Sequence, residues 1–242
     1  LFDLAIKCYQ KAFSLCRPHD GKEILNSCAI ACRSRGDLNG AKWLFSLALN
    51  CGTPYAEAHS NLGTVLLAEG NHDQALDELN KAVKIEPDVP EYHNNLGTVF
   101  RKTGLPAKAE QEFREAIRLN PDFMEAHNNL GNVLKDQGRY REAIDEFRRC
   151  IELKPDSAEV FTNLGIVYRK ADLSREAIDA FNQAIELNPT LALPHLQLAL
   201  IYLSSEKDNE KALFHLKKTL ELEPSLPQAD SIKTKIAELE GN

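Results

Sequence analysis

The chain has 242 residues, 43% of them hydrophobic and 27% charged, with Lys+Arg 29 against Asp+Glu 36 and a formal net charge of −7. That makeup is too apolar for a disordered chain and long enough to bury a core without disulfide staples. The net acidity excludes a phosphate-binding surface, and with it nucleic acid as a partner, unless charge is segregated; residues 1–50 carry only +3, which leaves −10 for the rest.

Taken from the N-terminus, DLAIKCYQKAFSL (3–15) reads as a lone second helix of a helix pair, with Ala5, Tyr9 and Ala12 on its packing side and no first helix before it. Residues 1–21 are therefore expected to be the tail of a truncated unit. The sole methionine is the internal Met124, so the chain is expected to be a fragment, and the lone second helix implies an array that continues upstream or is cut there. A period of 34 then takes over: Ala41, Ala75, Ala109, Ala143 and Ala177 are 34 apart, and Ala212 follows after 35. Six full units are predicted over 22–227, starting at Lys22, Ala56, Pro90, Met124, Ala158 and Ala192. Residues 228–242 are predicted to be a capping helix, with Ala229, Ile232, Ile236 and Leu239 on one stripe. The best apolar run, Leu191 to Leu203, is broken by Pro194, His195 and Gln197, so no membrane insertion is expected. No signal peptide opens the chain.

Within a unit the pattern predicts two helices. In residues 124–157, MEAHNNLGNVLKDQG forms the first, and Gly138 suits a left-handed C-terminal cap. YREAIDEFRRCIEL forms the second, which stops before Lys154-Pro155 because the residue preceding proline is pushed out of the helical region. Gly131 and Ala143 allow close approach, while Leu130, Leu134, Tyr140, Ile144, Phe147 and Ile151 fill the interior. The sequence NNLGNVL…G-x-Y-x-x-A-I…F…L-x-P resembles the tetratricopeptide repeat, and the resemblance covers nearly the whole chain. It implies an all-α fold, a right-handed superhelix of helix-turn-helix repeats with a concave groove. Departures are Ala29 and Ala199 in the glycine slot, Thr53 in the proline slot, Asp172 for the turn glycine, and one extra residue near Ser204-Ser205-Glu206.

Cysteines at 8, 16, 28, 32, 51 and 150 show no CxxC pair and are expected as packing residues, in keeping with a reducing cytoplasmic location. No phosphate loop, GxSxG, HExxH or dinucleotide fingerprint is present, so neither catalysis nor a cofactor is expected. His59, His93, His127 and His195 share one slot. Parallel helices about 8–10 Å apart would hold them in a ladder, unlike the ~2.0–2.1 Å nitrogens of a zinc site; no metal is expected, and packing between units is.

Asn61, Asn95, Asn129 and Asn163 recur in another slot, with Ser27 and Gln197 at its ends. An amide offers one acceptor and two donors, so such a row can hold an extended backbone by both N–H and C=O. It resembles the asparagine ladder of the O-linked N-acetylglucosamine transferase repeats; the competing account is a hydrogen bond between repeats. Asn94, Asn128, Asn132, Thr64 and Thr98 share the inner wall by phase. Arg101, Lys135 and Arg169 form a basic row, and Glu57, Glu91, Glu125 and Glu159 an acidic one. The helix dipole accounts for both rows, and a groove with two charged edges is the alternative. A two-carboxylate clamp for chaperone tails is disfavoured, since its basic slots hold Asn or Glu. Leu193, Leu196, Leu200 and Leu203 replace these polar positions in the last unit, as an apolar pocket or as the seat of the capping helix. The expected role is a non-enzymatic scaffold that binds a protein or peptide segment. The alternatives are the recognition arm of a larger enzyme, such as a glycosyltransferase, and self-association.

Overall fold

The computed structural model describes residues 21–51 and 55–241. The expected lone helix at 3–15, Cys8, Cys16 and Thr53 lie outside the described residues. Thirteen helices and no strands are found among those described. In chain order they are α1 (Gly21–Ser34), α2 (Leu38–Leu49), α3 (Ala56–Ala68), α4 (His72–Ile85), α5 (Pro90–Lys102), α6 (Pro106–Leu119), α7 (Met124–Asp136), α8 (Tyr140–Leu153), α9 (Ala158–Lys170), α10 (Ser174–Leu187), α11 (Ala192–Ser204), α12 (Asn209–Leu222) and α13 (Ala229–Glu240). The fold is all-α, built from helix-turn-helix repeats, and divides into two compact units, one ending at Ala126 and the other starting at His127.

Local chemistry sets the helix ends. The reversal inside each pair needs one residue in the left-handed region, which Gly36, Gly70, Gly104 and Gly138 adopt with φ of 73° to 81°. Asp172 and Lys207 take the same conformation at φ 59° and 51° in the last two pairs, so the turn persists where glycine does not. The extra residue of the last repeat thus goes into a longer turn around Lys207. At the far end of the five later pairs, Glu86, Asn120, Lys154, Asn188 and Glu223 leave the helical region with φ of −135° to −144°, and each precedes a proline, whereas Asn50 ends α2 in the helical region. Asp37, Ser157 and Asp208 cap α2, α9 and α12 through their side chains.

The core is a repeated large-on-small contact. Phe45, Leu79, Phe113, Phe147 and Phe181 lie on the second helices 34 residues apart, and all are fully buried. A Cβ on Gly97 would come within 2.8 Å of the Phe113 ring, and one on Gly165 within 2.6 Å of Phe181. Glycine at Gly97 and Gly165 thus lets the ring close in, and the first and last repeats accept no more than the methyl of Ala29 and Ala199 in that slot. Cys150 is buried, while Cys28, Cys32 and Cys51 pack partly buried against the first cluster. Ala229 and Ile232 of α13 are buried, and Ile236 and Leu239 add to a cluster with Leu196, Ala199, Leu216, Leu220 and Leu226. None of the described helices is long and apolar enough to cross a membrane.

Candidate functional site

First helices of successive repeats touch one another, α1 against α3, α3 against α5, and α9 against α11. Their exposed sides therefore make one wall in each unit. The ladder amides stand on it, half-buried, and each described pair is tied to the repeat before it. Asn61 Nδ2 donates to Asn26 Oδ1 at 3.2 Å, Asn95 Nδ2 to Ser60 Oγ at 3.0 Å, and Asn163 Nδ2 to Asn128 Oδ1 at 3.4 Å. The acceptor sits one position before the ladder slot of the neighbouring repeat. Asn128 acts there as an acceptor between repeats. The bond between repeats thus exists, and it uses one N–H of each amide; the amide that Asn95 presents keeps its oxygen.

In the first unit a cavity of about 470 Å³ opens on this wall. Asn61, Thr64, Asn94 and Asn95 line it together with Glu57, Glu91 and Ser60, and Val89, Tyr92 and Phe123 supply apolar surface. Arg33, which the row of basic residues did not include, also lines it. Its Nη1 donates to Thr64 Oγ1 at 2.7 Å and to Asn61 Oδ1 at 3.4 Å. Arg33 lies two periods before Arg101, which puts it in the same row, but Leu67 between them breaks the row, and only the packing places Arg33 in the cavity. Glu57 accepts from Asn26 Nδ2 at 2.9 Å and from the Tyr55 hydroxyl at 3.3 Å. Burial, then the Glu57 charge, pushes the Tyr55 phenol up to about 12. Burial likewise raises Tyr92, with Glu86 adding to it.

In the second unit a cavity of about 510 Å³ is lined by Glu159, Thr162, Asn163, Leu191, Leu193 and Pro194, among others. The remaining residues singled out from the sequence lie outside these two linings. Thr98 donates to the Asn94 carbonyl of its own helix. Asn132 donates to the Asn128 carbonyl and accepts from Lys135 Nζ at 2.6 Å. Arg101 and Arg169 bury their Nε atoms without a hydrogen-bond partner, as Gln197 does its Oε1. Leu196 packs in the cluster with α13, whereas Leu193 and Leu200 stay 46% and 39% exposed.

His93 Nε2 makes the expected contact with the preceding repeat, at the Pro87 carbonyl 2.9 Å away, and the histidines have partners within their own pair as well. Each faces its own second helix: His59 Nδ1 pairs with Glu78 at 2.6 Å, His93 with Glu112 at 2.7 Å, and His127 with Glu146 at 2.6 Å. Where Phe161 takes the slot the opposite position is Ala180, and in the last repeat His195 meets His215 at 2.9 Å. The helix-pair interior is narrow enough that a polar ring there selects a polar partner. Among the described residues no group of three or more metal-type ligands converges.

A stack of helix pairs joined by left-handed turns, with a small-residue slot against a large one and amides on the first-helix wall, defines an α-helical repeat protein. The tetratricopeptide repeat profile matches residues 54–122 and again 122–190, and the chain belongs to that family. Among solved structures it is similar to a chain of the APC/C hetero-tetramer Cut9–Hcn1, at 22% identity and TM-score 0.76 over 96% of this chain and 46% of that one. The chain thus spans less than half of that relative. It is also similar to YrrB, a TPR protein with an unusual peptide-binding site, at 26% identity and TM-score 0.58 over 71% of this chain and 88% of that one. PilF of Pseudomonas aeruginosa aligns at 19% identity and TM-score 0.78, over 90% of this chain and 99% of that one. No curated protein matches the chain significantly.

Proposed function

We propose that the chain is a non-enzymatic scaffold of the cytoplasm that holds an extended peptide segment against the asparagine wall of its first helices. The observation that carries this reading is the first-unit cavity, in which Asn61, Asn94 and Asn95 stand on adjacent helices. The tethering of Asn61 and Asn95 to the preceding repeat supports it, because an amide already held in place loses little freedom when a ligand binds. The likeness to YrrB, whose peptide-binding site is part of its description, is in keeping with it. Thr64 and Thr98 belong to the wall of that unit in this proposal, and Asn129, Asn132, Lys135, Asn163 and Arg169 to the wall of the unit starting at His127.

The test is a peptide selected from a random display library against the whole chain and titrated by calorimetry. N-methylating single backbone amides of that peptide should weaken binding more than replacing its side chains by alanine. Asn61→Ala with Asn95→Ala should lower affinity about tenfold, the loss of one or two hydrogen bonds. Unchanged affinity for that double variant would leave the ladder as a tie between repeats only.

A further inference from the structure

Several charges on the second helices are answered at short range: Arg114 by Glu110, Arg118 by Glu115, Arg149 by Glu152 and Lys218 by Glu221, all at 2.7–2.9 Å. Two arginines on the first-helix wall of the unit ending at Ala126 meet no carboxylate among the described residues. Arg33 donates there to the neutral oxygens of Asn61 and Thr64. Arg101 and Arg169, both partly buried, shut their Nε atoms away from solvent with no acceptor among the described residues. A desolvated donor left without an acceptor is costly, and more so when it carries charge. Wild-type chains tolerate such groups where something else completes them.

We infer that the occupant of the first-helix wall in the unit ending at Ala126 is an extended segment whose internal Asp or Glu side chains seat on Arg33 and Arg101. This deepens the groove-binding proposal above and rests on it. A guanidinium matches a carboxylate with two parallel hydrogen bonds, which no neutral side chain reproduces. Arg33 is already positioned for it, because Thr64 and Asn61 hold Nη1 and leave the other nitrogens without a bond among the described residues. Val89, Tyr92 and Phe123 line the same cavity and give the flanking side chains an apolar surface. Glu57 and Glu91 also line it, so a run of consecutive acids is repelled, and single acids in a neutral segment fit. Internal side chains fit better than a terminal carboxylate because the unmatched arginine recurs, at Arg33 and Arg101 here and at Arg169 in the other unit, while a chain has one terminus. Two first-helix steps of about 8–10 Å separate Arg33 from Arg101, a distance that about six extended residues cover. Six is an even interval, so both acids would project from one side of the strand.

The inference is tested by fluorescence anisotropy of the whole chain with four short labelled peptides of one neutral Ser/Thr/Phe sequence. One carries two glutamates about six positions apart, the spacing that the helix steps set. The second has glutamine at both positions, the third lysine, and the fourth is the glutamine peptide with a free C-terminal carboxylate; the other three are amidated. The glutamate peptide is expected to bind about tenfold tighter than the glutamine peptide, as charge-assisted pairs exceed neutral ones. High salt should shrink that difference, and Arg33→Gln or Arg101→Gln should remove most of it while circular dichroism stays helical. Equal affinity of the glutamate and glutamine peptides overturns the inference and leaves the groove reading in place. A gain confined to the free-carboxylate peptide overturns it in favour of a chain terminus, and tighter binding of the lysine peptide overturns it in favour of the Glu57 and Glu91 edge. Binding of none of the four overturns both readings.

Discussion

Residues 90–119 and 192–222 fold as the same hairpin, yet they present different chemistry at four groove positions while the ladder slot stays an amide, Asn95 in one and Gln197 in the other. Glu91, Asn94, Thr98 and Arg101 of α5 correspond to Leu193, Leu196, Leu200 and Leu203 of α11. Inside the pair, His93 faces Glu112 while His195 faces His215. The scaffold is indifferent to these changes because the left-handed turn and the large-on-small contact carry the fold. The leucines have a partial explanation in α13, against which Leu196 packs. Leu193 and Leu200 remain 46% and 39% exposed, so α11 offers apolar surface where α5 offers polar side chains.

The largest test of that shared skeleton is the core contact. Phe113→Ala should cost about 3–5 kcal/mol and Leu216→Ala about 2–5 kcal/mol, measured by denaturant unfolding. If either costs less than about 1 kcal/mol, the two hairpins do not share one packing rule.

The histidine pairs should respond to acid in opposite directions. His93 sits between the Glu112 carboxylate and the Pro87 carbonyl at 2.9 Å, two acceptors that both call for N–H, so its pKa is raised, chiefly by the Glu112 bond. Its contribution is present below the ordinary histidine value and lost as pH rises through the folded value. His195 and His215 share one proton between two Nδ1 atoms; Tyr202 and Phe214 pack on His215, and Lys218 and Glu221 lie nearby. Burial, then the His195 charge, lowers His215 to about 4, and burial, then Lys218, lowers His195. That contribution is present above the ordinary histidine value and lost as pH falls toward 4. His215→Glu should import the other pair and abolish the acid sensitivity in thermal melts. Persistence of the acid loss in that variant would locate it elsewhere.

Smaller effects separate the walls. Leu196→Ser should destabilise by about 1–3 kcal/mol because it opens the contact beneath α13, whereas Leu200→Ser should stay within about 0.5 kcal/mol. Asn95→Ala breaks the tie to Ser60 and should cost about 1 kcal/mol. Gln197→Leu removes a buried oxygen that has no partner and should be neutral or stabilising, to within about 0.5 kcal/mol. A loss there as large as that of Asn95→Ala would show that Gln197 is satisfied in solution.

What could be read from the amino-acid order was whatever depends on neighbours within a turn or two of helix. The 34-residue period, the helix α8 at Tyr140–Leu153, the turn at Gly138 and the stop before each proline all follow from backbone sterics and side-chain spacing. The partners across the stack depend on which helix lies beside which, and at what register. That Asn95 donates to Ser60, that His93 is answered by Glu112 and that Arg33 joins the cavity wall were settled only when repeats packed. The glutamates that face the histidines did recur in phase with them, but periodicity names a face and not a partner. A half-buried side chain takes its hydrogen bonds from whatever tertiary packing brings within reach, because desolvation makes an unmet donor costly.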